Sequence, residues 1–191
     1  MSINTKGGRR GLALFFLGIA MCLAPFFSAV LADETPAIQY KQIDDDTLQV
    51  EFNLPCAPDT LWVVLTDYPN SHKVMPNVRK TTVLSTSTEG EAQIAIVETK
   101  VGAGPFSMTY KSKMTAVRSH LLLLWEQTEG GFTKNSGNWQ LSQAPNGGTN
   151  VVYTASLSHP LMPNWLKKSL IKDSIPELYE SLKRNTQTTG E

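Results

Sequence analysis

The chain has 191 residues, 41% of them hydrophobic, and 17 basic side chains balance 17 acidic ones. That is one domain's worth of sequence with enough apolar material for a core. A net charge of zero gives no electrostatic footprint for nucleic acid, so no such partner is expected.

The first segment reads as an address. Lys6, Arg9 and Arg10 precede an uncharged run over 11–32 that ends in SAVLA, just before Asp33 and Glu34. A basic start, an apolar middle and small residues at the end make a secretory signal peptide over 1–32. The run is long enough to span a bilayer, so a retained anchor is the other reading; Pro25 and the small residues favour cleavage. The Arg9–Arg10 pair lacks the preceding hydroxyl of a twin-arginine signal, and Met21 is too bulky for a lipoprotein site before Cys22. Cleavage leaves 159 residues with 14 basic and 17 acidic side chains, destined for the periplasm or the medium. Cys22 would leave with the signal, so Cys56 has no partner within the mature chain and the core alone must hold the fold.

Residues 33–46 read as a polar leader. TLQVEFNL, 47–54, alternates with period two and predicts a half-buried strand. In PCAPDTLWVVLTDY, Pro58 and Asp59 suit a helix start, and Leu61, Trp62, Leu65 and Tyr68 fall at helical spacing. Pro69 ends or kinks that helix, and a second short helix over 70–75 is stopped by Pro76. Strand signals then run for about eighty residues. They are VRKTTVLSTST, a turn at Glu89–Gly90, EAQIAIVETKV, a GAGP corner, FSMTYKSKMTAV, HLLLLWEQTE, a GGFTKNSG loop, NWQLSQ, a PNGG turn and TNVVYTASLSH. From Pro160 an apolar stripe of Trp165, Leu166, Leu170, Ile171, Ile175, Leu178, Tyr179 and Leu182 predicts a long closing helix, kinked at Pro176. Segregated strands and helices argue an α+β domain over 47–187, followed by a tail at 188–191.

Three motifs in this order look familiar: DYPNSHKVMPNV, WEQTEGGFTKNSGNWQL and PLMPNWLKKSLIKDSIPELYESLKR. Together they resemble the START-like superfamily, which includes START lipid-transfer, COQ10-like and polyketide cyclase/dehydrase proteins. The resemblance implies a helix-grip fold: a curved antiparallel sheet of about seven strands around a long C-terminal helix, with two short helices after the first strand. On that reading the two proline-broken helices form the corner at the mouth of the grip. Ser71–His72, where relatives often carry a bulky apolar residue, and the export signal are departures that bear on the ligand.

The side chains offer little covalent chemistry. His72, His120 and His159 have no metal-ligand spacing, so neither a metal nor a cofactor is expected. Cys56 lies between two prolines with no histidine nearby in sequence, and VGAGP lacks the Lys and Ser/Thr of a phosphate loop. Glu98 is the one candidate acid. If Ile94 and Ile96 point inward so does Glu98, as a polar group of the pocket; in the other phase Ala95, Val97, Thr99 and Val101 point inward and Glu98 is solvated. The pocket candidates are Phe106, Met108, Tyr110, Trp125, Trp139, Tyr153, Met162, Trp165 and Leu166, each a plausible core residue singly. A sheet gripping one helix leaves interior to spare, and apolar pockets with few polar groups suit hydrophobic ligands. The expectation is an exported carrier of a lipid or other hydrophobic small molecule, with transient membrane contact and the closing helix as its lid. The alternative is a cyclase, dehydratase or hydrolase of the same superfamily, which would need two convergent polar groups.

Overall fold

Alternation builds the first long strand. In Thr47–Leu54, Val50, Phe52 and Leu54 are buried while Glu51 is exposed, so one face meets the core and the other meets solvent. A computed structural model of the protein describes residues 37–103, 106–145, 147–160 and 164–188, apart from the side chains at 103, 106, 164–171 and 188. The expected signal peptide at 1–32, Met162 and the last residues of the tail lie outside the described residues.

In chain order the elements are β1 (Gln39–Gln42), β2 (Thr47–Leu54), α1 (Pro58–Thr66), a 3-10 helix (Tyr68–Lys73), β3 (Val78–Glu89), β4 (Ala92–Ala103), β5 (Phe106–Val117), a 3-10 turn (Arg118–His120), β6 (Leu122–Glu129), β7 (Lys134–Gln143), β8 (Thr149–Ser158) and α2 (Asn164–Thr188). The strands form one antiparallel sheet in the order β1-β2-β8-β7-β6-β5-β4-β3. Register shifts between β3 and β4 mark bulges, which bend a strand and sharpen its twist. This is the α+β helix-grip architecture.

The long helix closes the core. Ile175, Leu178, Tyr179 and Leu182 recur at three- and four-residue spacing and are all buried with Val50, Phe52, Leu54, Trp139, Leu141 and Val151 of the sheet. Phe52 and Tyr179 meet edge-to-face at 5.7 Å. Burying each of these side chains contributes about 1.5–3 kcal/mol, so the α2 stripe is the main attachment of helix to sheet. The 3-10 helix is tied to α2 through the Lys73 carbonyl, which accepts from Ser181 Oγ at 3.1 Å and Asn185 Nδ2 at 3.3 Å.

Four local expectations change. The leader contains an extra strand, β1, which pairs with β2 although QYKQ has no apolar signal. The second short helix is a 3-10 helix beginning at Tyr68, with Pro69 in its first turn, where the missing amide hydrogen costs nothing. Residues 134–137 of the expected GGFTKNSG loop belong to β7 and pair with β8. The closing helix is not among them: it runs from 164 to 188 with Pro176 inside it, and Pro176 and Lys172 are both exposed, so water can reach the carbonyl that loses its partner. HLLLLWEQTE starts its strand only at Leu122, because Leu121 takes a left-handed conformation at φ 48°. That conformation strains a branched side chain, and it is held by half-buried packing and a bond from Leu141 N to the Leu121 carbonyl at 3.1 Å.

Candidate ligand-binding site

Pairing register decides which side chains share the face covered by α2, here called the concave face. Tyr153 sits opposite Val50 and Trp139, Trp125 opposite Gly137 and Met114, and Met114 opposite Ala95. Following that register outward puts Met108, Tyr110, Ser112, Gln127 and Asn135 on the same face. The charged residues Glu51, Glu98, Lys100, Lys111, Lys113, Glu126 and Lys134 fall on the other one. Among the described residues, no strand places a charged side chain at a concave register position.

A neutral polar and aromatic cluster results. Tyr153 lies between two indoles, its ring centroid 4.3 Å from Trp139 and 5.6 Å from Trp125, the latter pair stacked at 17°. Trp125 Nε1 donates to Asn135 Oδ1 at 3.3 Å, and the Asn135 side chain also bonds the Tyr110 hydroxyl. Burial pushes the Tyr153 phenol well above its ordinary value, with Tyr110 adding to the effect; burial raises Tyr110 too, against its bond to Asn135. Both phenols stay protonated at neutral pH and serve as hydrogen-bonding groups, not as bases. At the edge of the cluster Phe132 meets Tyr110 at 5.7 Å and His159 at 6.0 Å, both edge-to-face.

Two atoms in this cluster carry unused hydrogen-bonding capacity. Ser112 Oγ and Gln127 Oε1 are buried with no partner among the described residues, and their residues are direct cross-strand neighbours. An orphaned buried polar atom costs about 1–3 kcal/mol, so the pair marks a place where a partner fits.

The expected pocket residues divide accordingly. Tyr110, Trp125 and Tyr153 come together in the cluster; Trp139 joins it from the core side, 3% exposed. Met108 is half-buried at the Gly131 end, and Phe106 takes the same register, its side chain outside the described residues. Trp165 and Leu166 lie in the first turns of α2, their side chains likewise outside. Glu98 goes to the opposite face: it pairs with Lys111 and Thr82, whereas Ala95, Val97 and Thr99, all buried, take the concave positions of its strand. It is therefore not a polar group of the concave face, because the side-chain period of two sends it the other way.

Ser112, Gln127, Asn135 and Phe132 were not singled out from sequence. The signal was available for the first three: each is a polar residue two positions from an apolar or aromatic one on the same face, next to Tyr110, Trp125 and Gly137 respectively. Cys56 is half-buried, and burial pushes its thiol up, which disfavours the thiolate. No group of three His, Cys, Asp or Glu residues able to hold a metal occurs among the described residues. A groove of about 490 Å³ is lined mainly by residues of the opposite face, Lys113, Leu124, Asn138 and Thr154 among them, and reaches Trp125 and Gly137.

Comparison with known proteins supplies the context. The sequence matches no curated protein. Its fold is similar to that of a START superfamily protein from Mycobacterium smegmatis, at TM-score 0.64 and 12% identity, covering 75% of this chain and 99% of that one. A protein of Thermus thermophilus matches at TM-score 0.63 and 17% identity, covering 76% and 99%. The Zhui aromatase/cyclase of a Streptomyces species matches at TM-score 0.61 and 17% identity, covering 75% and 94%. A model of the family described as polyketide cyclase / dehydrase and lipid transport matches residues 54–183, from the end of β2 into α2. With that match spanning most of the chain and the concave face built as described, the protein belongs to the polyketide cyclase/dehydrase and lipid transport family, within the START-like superfamily.

Proposed function

We propose that the protein is an exported carrier that holds a lipid or other hydrophobic small molecule between the sheet and α2, and that it performs no covalent chemistry. The observation that carries this reading is the concave face itself: aromatic and aliphatic side chains with a few neutral polar groups and, among the described residues, no charged one on any strand. General acid–base catalysis needs a group that changes protonation near neutral pH, and two phenols held high do not provide one. Apolar transfer is a sufficient driving force, since each methylene taken from water contributes about 0.8 kcal/mol. Export to the periplasm or the medium, loading by transient contact with a membrane, and the absence of a nucleic-acid partner complete the proposal; the basic and apolar start of the sequence supports the first.

The test is native mass spectrometry with organic extraction on protein purified from its own envelope fraction, followed by uptake from lipid vesicles. A co-purifying hydrophobic molecule, with the protein beginning at Asp33, is the expected result. A protein that arrives empty and takes nothing from vesicles refutes the carrier; an intact Met1 refutes the cleaved signal.

A further inference from the structure

The unpartnered pair on the concave face defines the kind of polar group a ligand must present there. Ser112 is 2% exposed and bears an Oγ that can donate or accept. Gln127 faces it across the β5–β6 register. The orientation of the Gln127 amide is settled by its other end, because Nε2 donates to the Phe132 carbonyl at 2.9 Å and an amide oxygen could not. The buried, unpartnered end is therefore the oxygen, which accepts only.

An acceptor-only atom beside a hydroxyl calls for a ligand group with a proton to give. A ligand hydroxyl donates its proton to Gln127 Oε1 and accepts the proton of Ser112 Oγ, satisfying both at once. A ketone, ether or ester oxygen can satisfy Ser112 and leaves Gln127 opposed by lone pairs. A carboxylate or phosphate sets negative charge against that oxygen, and the concave register offers no described cation to offset it. The neighbours agree: Tyr110, Trp125 and Asn135 already spend their hydrogen bonds on one another and surround the pair with neutral, largely apolar surface.

We propose that Ser112 and Gln127 form the subsite for a neutral hydroxyl, alcoholic or phenolic, at the polar end of an otherwise hydrophobic ligand, and that the site discriminates against free fatty acids and phosphate esters of the same chain. This rests on the carrier reading and names its ligand class.

The experiment compares three probes of one chain length on the unaltered full-length protein by quenching of tryptophan fluorescence. They are 1-decanol, 1-fluorodecane (a fluorine close in size to hydroxyl, with no proton to give) and decanoate at pH 8. Decanol is expected to bind at least tenfold more tightly than either of the others, and Ser112→Ala to narrow that margin without changing fluorodecane, because the bond from decanol to Gln127 Oε1 remains. Equal affinity of decanol and fluorodecane overturns the subsite, leaving the pair to a bound water, while the carrier reading stands. Tightest binding of decanoate also overturns it. Binding of none of the three overturns the carrier and the subsite together. The probe comparison needs no variant, so it decides even if Ser112→Ala folds poorly.

Discussion

Gly137→Ala should destabilise the fold by closing a space that two rigid groups already fill. Gly137 lies on β7 between Trp125 on β6 and Ala155 on β8. A Cβ added there would overlap the Thr154 carbonyl oxygen on one side and the Trp125 ring atoms Cζ2 and Cη2 on the other. Neither yields cheaply. Thr154 belongs to a central strand laddered on both edges, and the indole is stacked on Tyr153 and bonded to Asn135. Overpacking of this kind costs about 1–3 kcal/mol, and backbone on one side argues for the upper half. Displacing the indole also weakens its bond, about 1 kcal/mol more. Against this, alanine restricts the unfolded chain and recovers about 0.4–1 kcal/mol. The clash wins, with a net loss of about 2–3.5 kcal/mol, which lowers the melting temperature by about 4–14 °C for a domain this size. Urea unfolding should show the midpoint falling with an unchanged slope, and near-ultraviolet circular dichroism should lose the signal of the stacked Trp125–Tyr153 pair. Gly90→Ala is the control: nothing lies within 4 Å of its added Cβ, and its φ of +60° confines the cost to about 1 kcal/mol of backbone strain with the aromatic signal intact. A Gly137→Ala protein as stable as the parent would refute the assignment of Trp125 to the face that Gly137 leaves open.

Leu182→Ala removes a fully buried side chain from the α2 stripe and should cost about 2–5 kcal/mol in equilibrium unfolding; a loss below about 1 kcal/mol would mean that the helix is not held where described. Stability should fall at alkaline pH. Burial raises the Tyr68 phenol from 10.0 to about 12, so above pH 10 the unfolded chain releases a proton that the folded one keeps, and the loss grows until the folded pKa near 12 is passed. Below pH 10 the group contributes no slope. Tyr68→Phe should flatten the decline of melting temperature between pH 10 and 12, and an unaltered decline would show that Tyr68 is not buried as described.

How much of this was readable in advance depended on whether one face of an element is distinct from the other. TLQVEFNL and the stripe of Ile175, Leu178, Tyr179 and Leu182 each have one apolar side, and both fall where the pattern put them. In β4, AQIAIVETKVGA is apolar on both sides, with Ile94 and Ala95 both buried, so alternation gave two phases for Glu98 and only pairing with β5 selected one. QYKQ was invisible for the opposite reason: it has no apolar side at all, and becomes a strand because β2 offers it an unpaired edge. The 134–137 segment looked like a loop for its Gly, Ser and Asn, whereas the glycine is needed inside a strand to admit an indole.

The amino-acid order was therefore enough to establish the α+β class, the sequence of strands before a closing helix, and the family's motif order, because these rest on local periodicity and on turn residues whose preferences act within a few positions. It could also supply an apolar interior, since the aromatic residues recur at strand spacing. The meeting of Ser112 with Gln127, the turning of Glu98 to the opposite face, and the stacking of Trp125 on Tyr153 required the folded sheet. Each depends on which residue of one strand pairs with which residue of another, and a register is set by the packing of the whole sheet against α2, not by any segment alone.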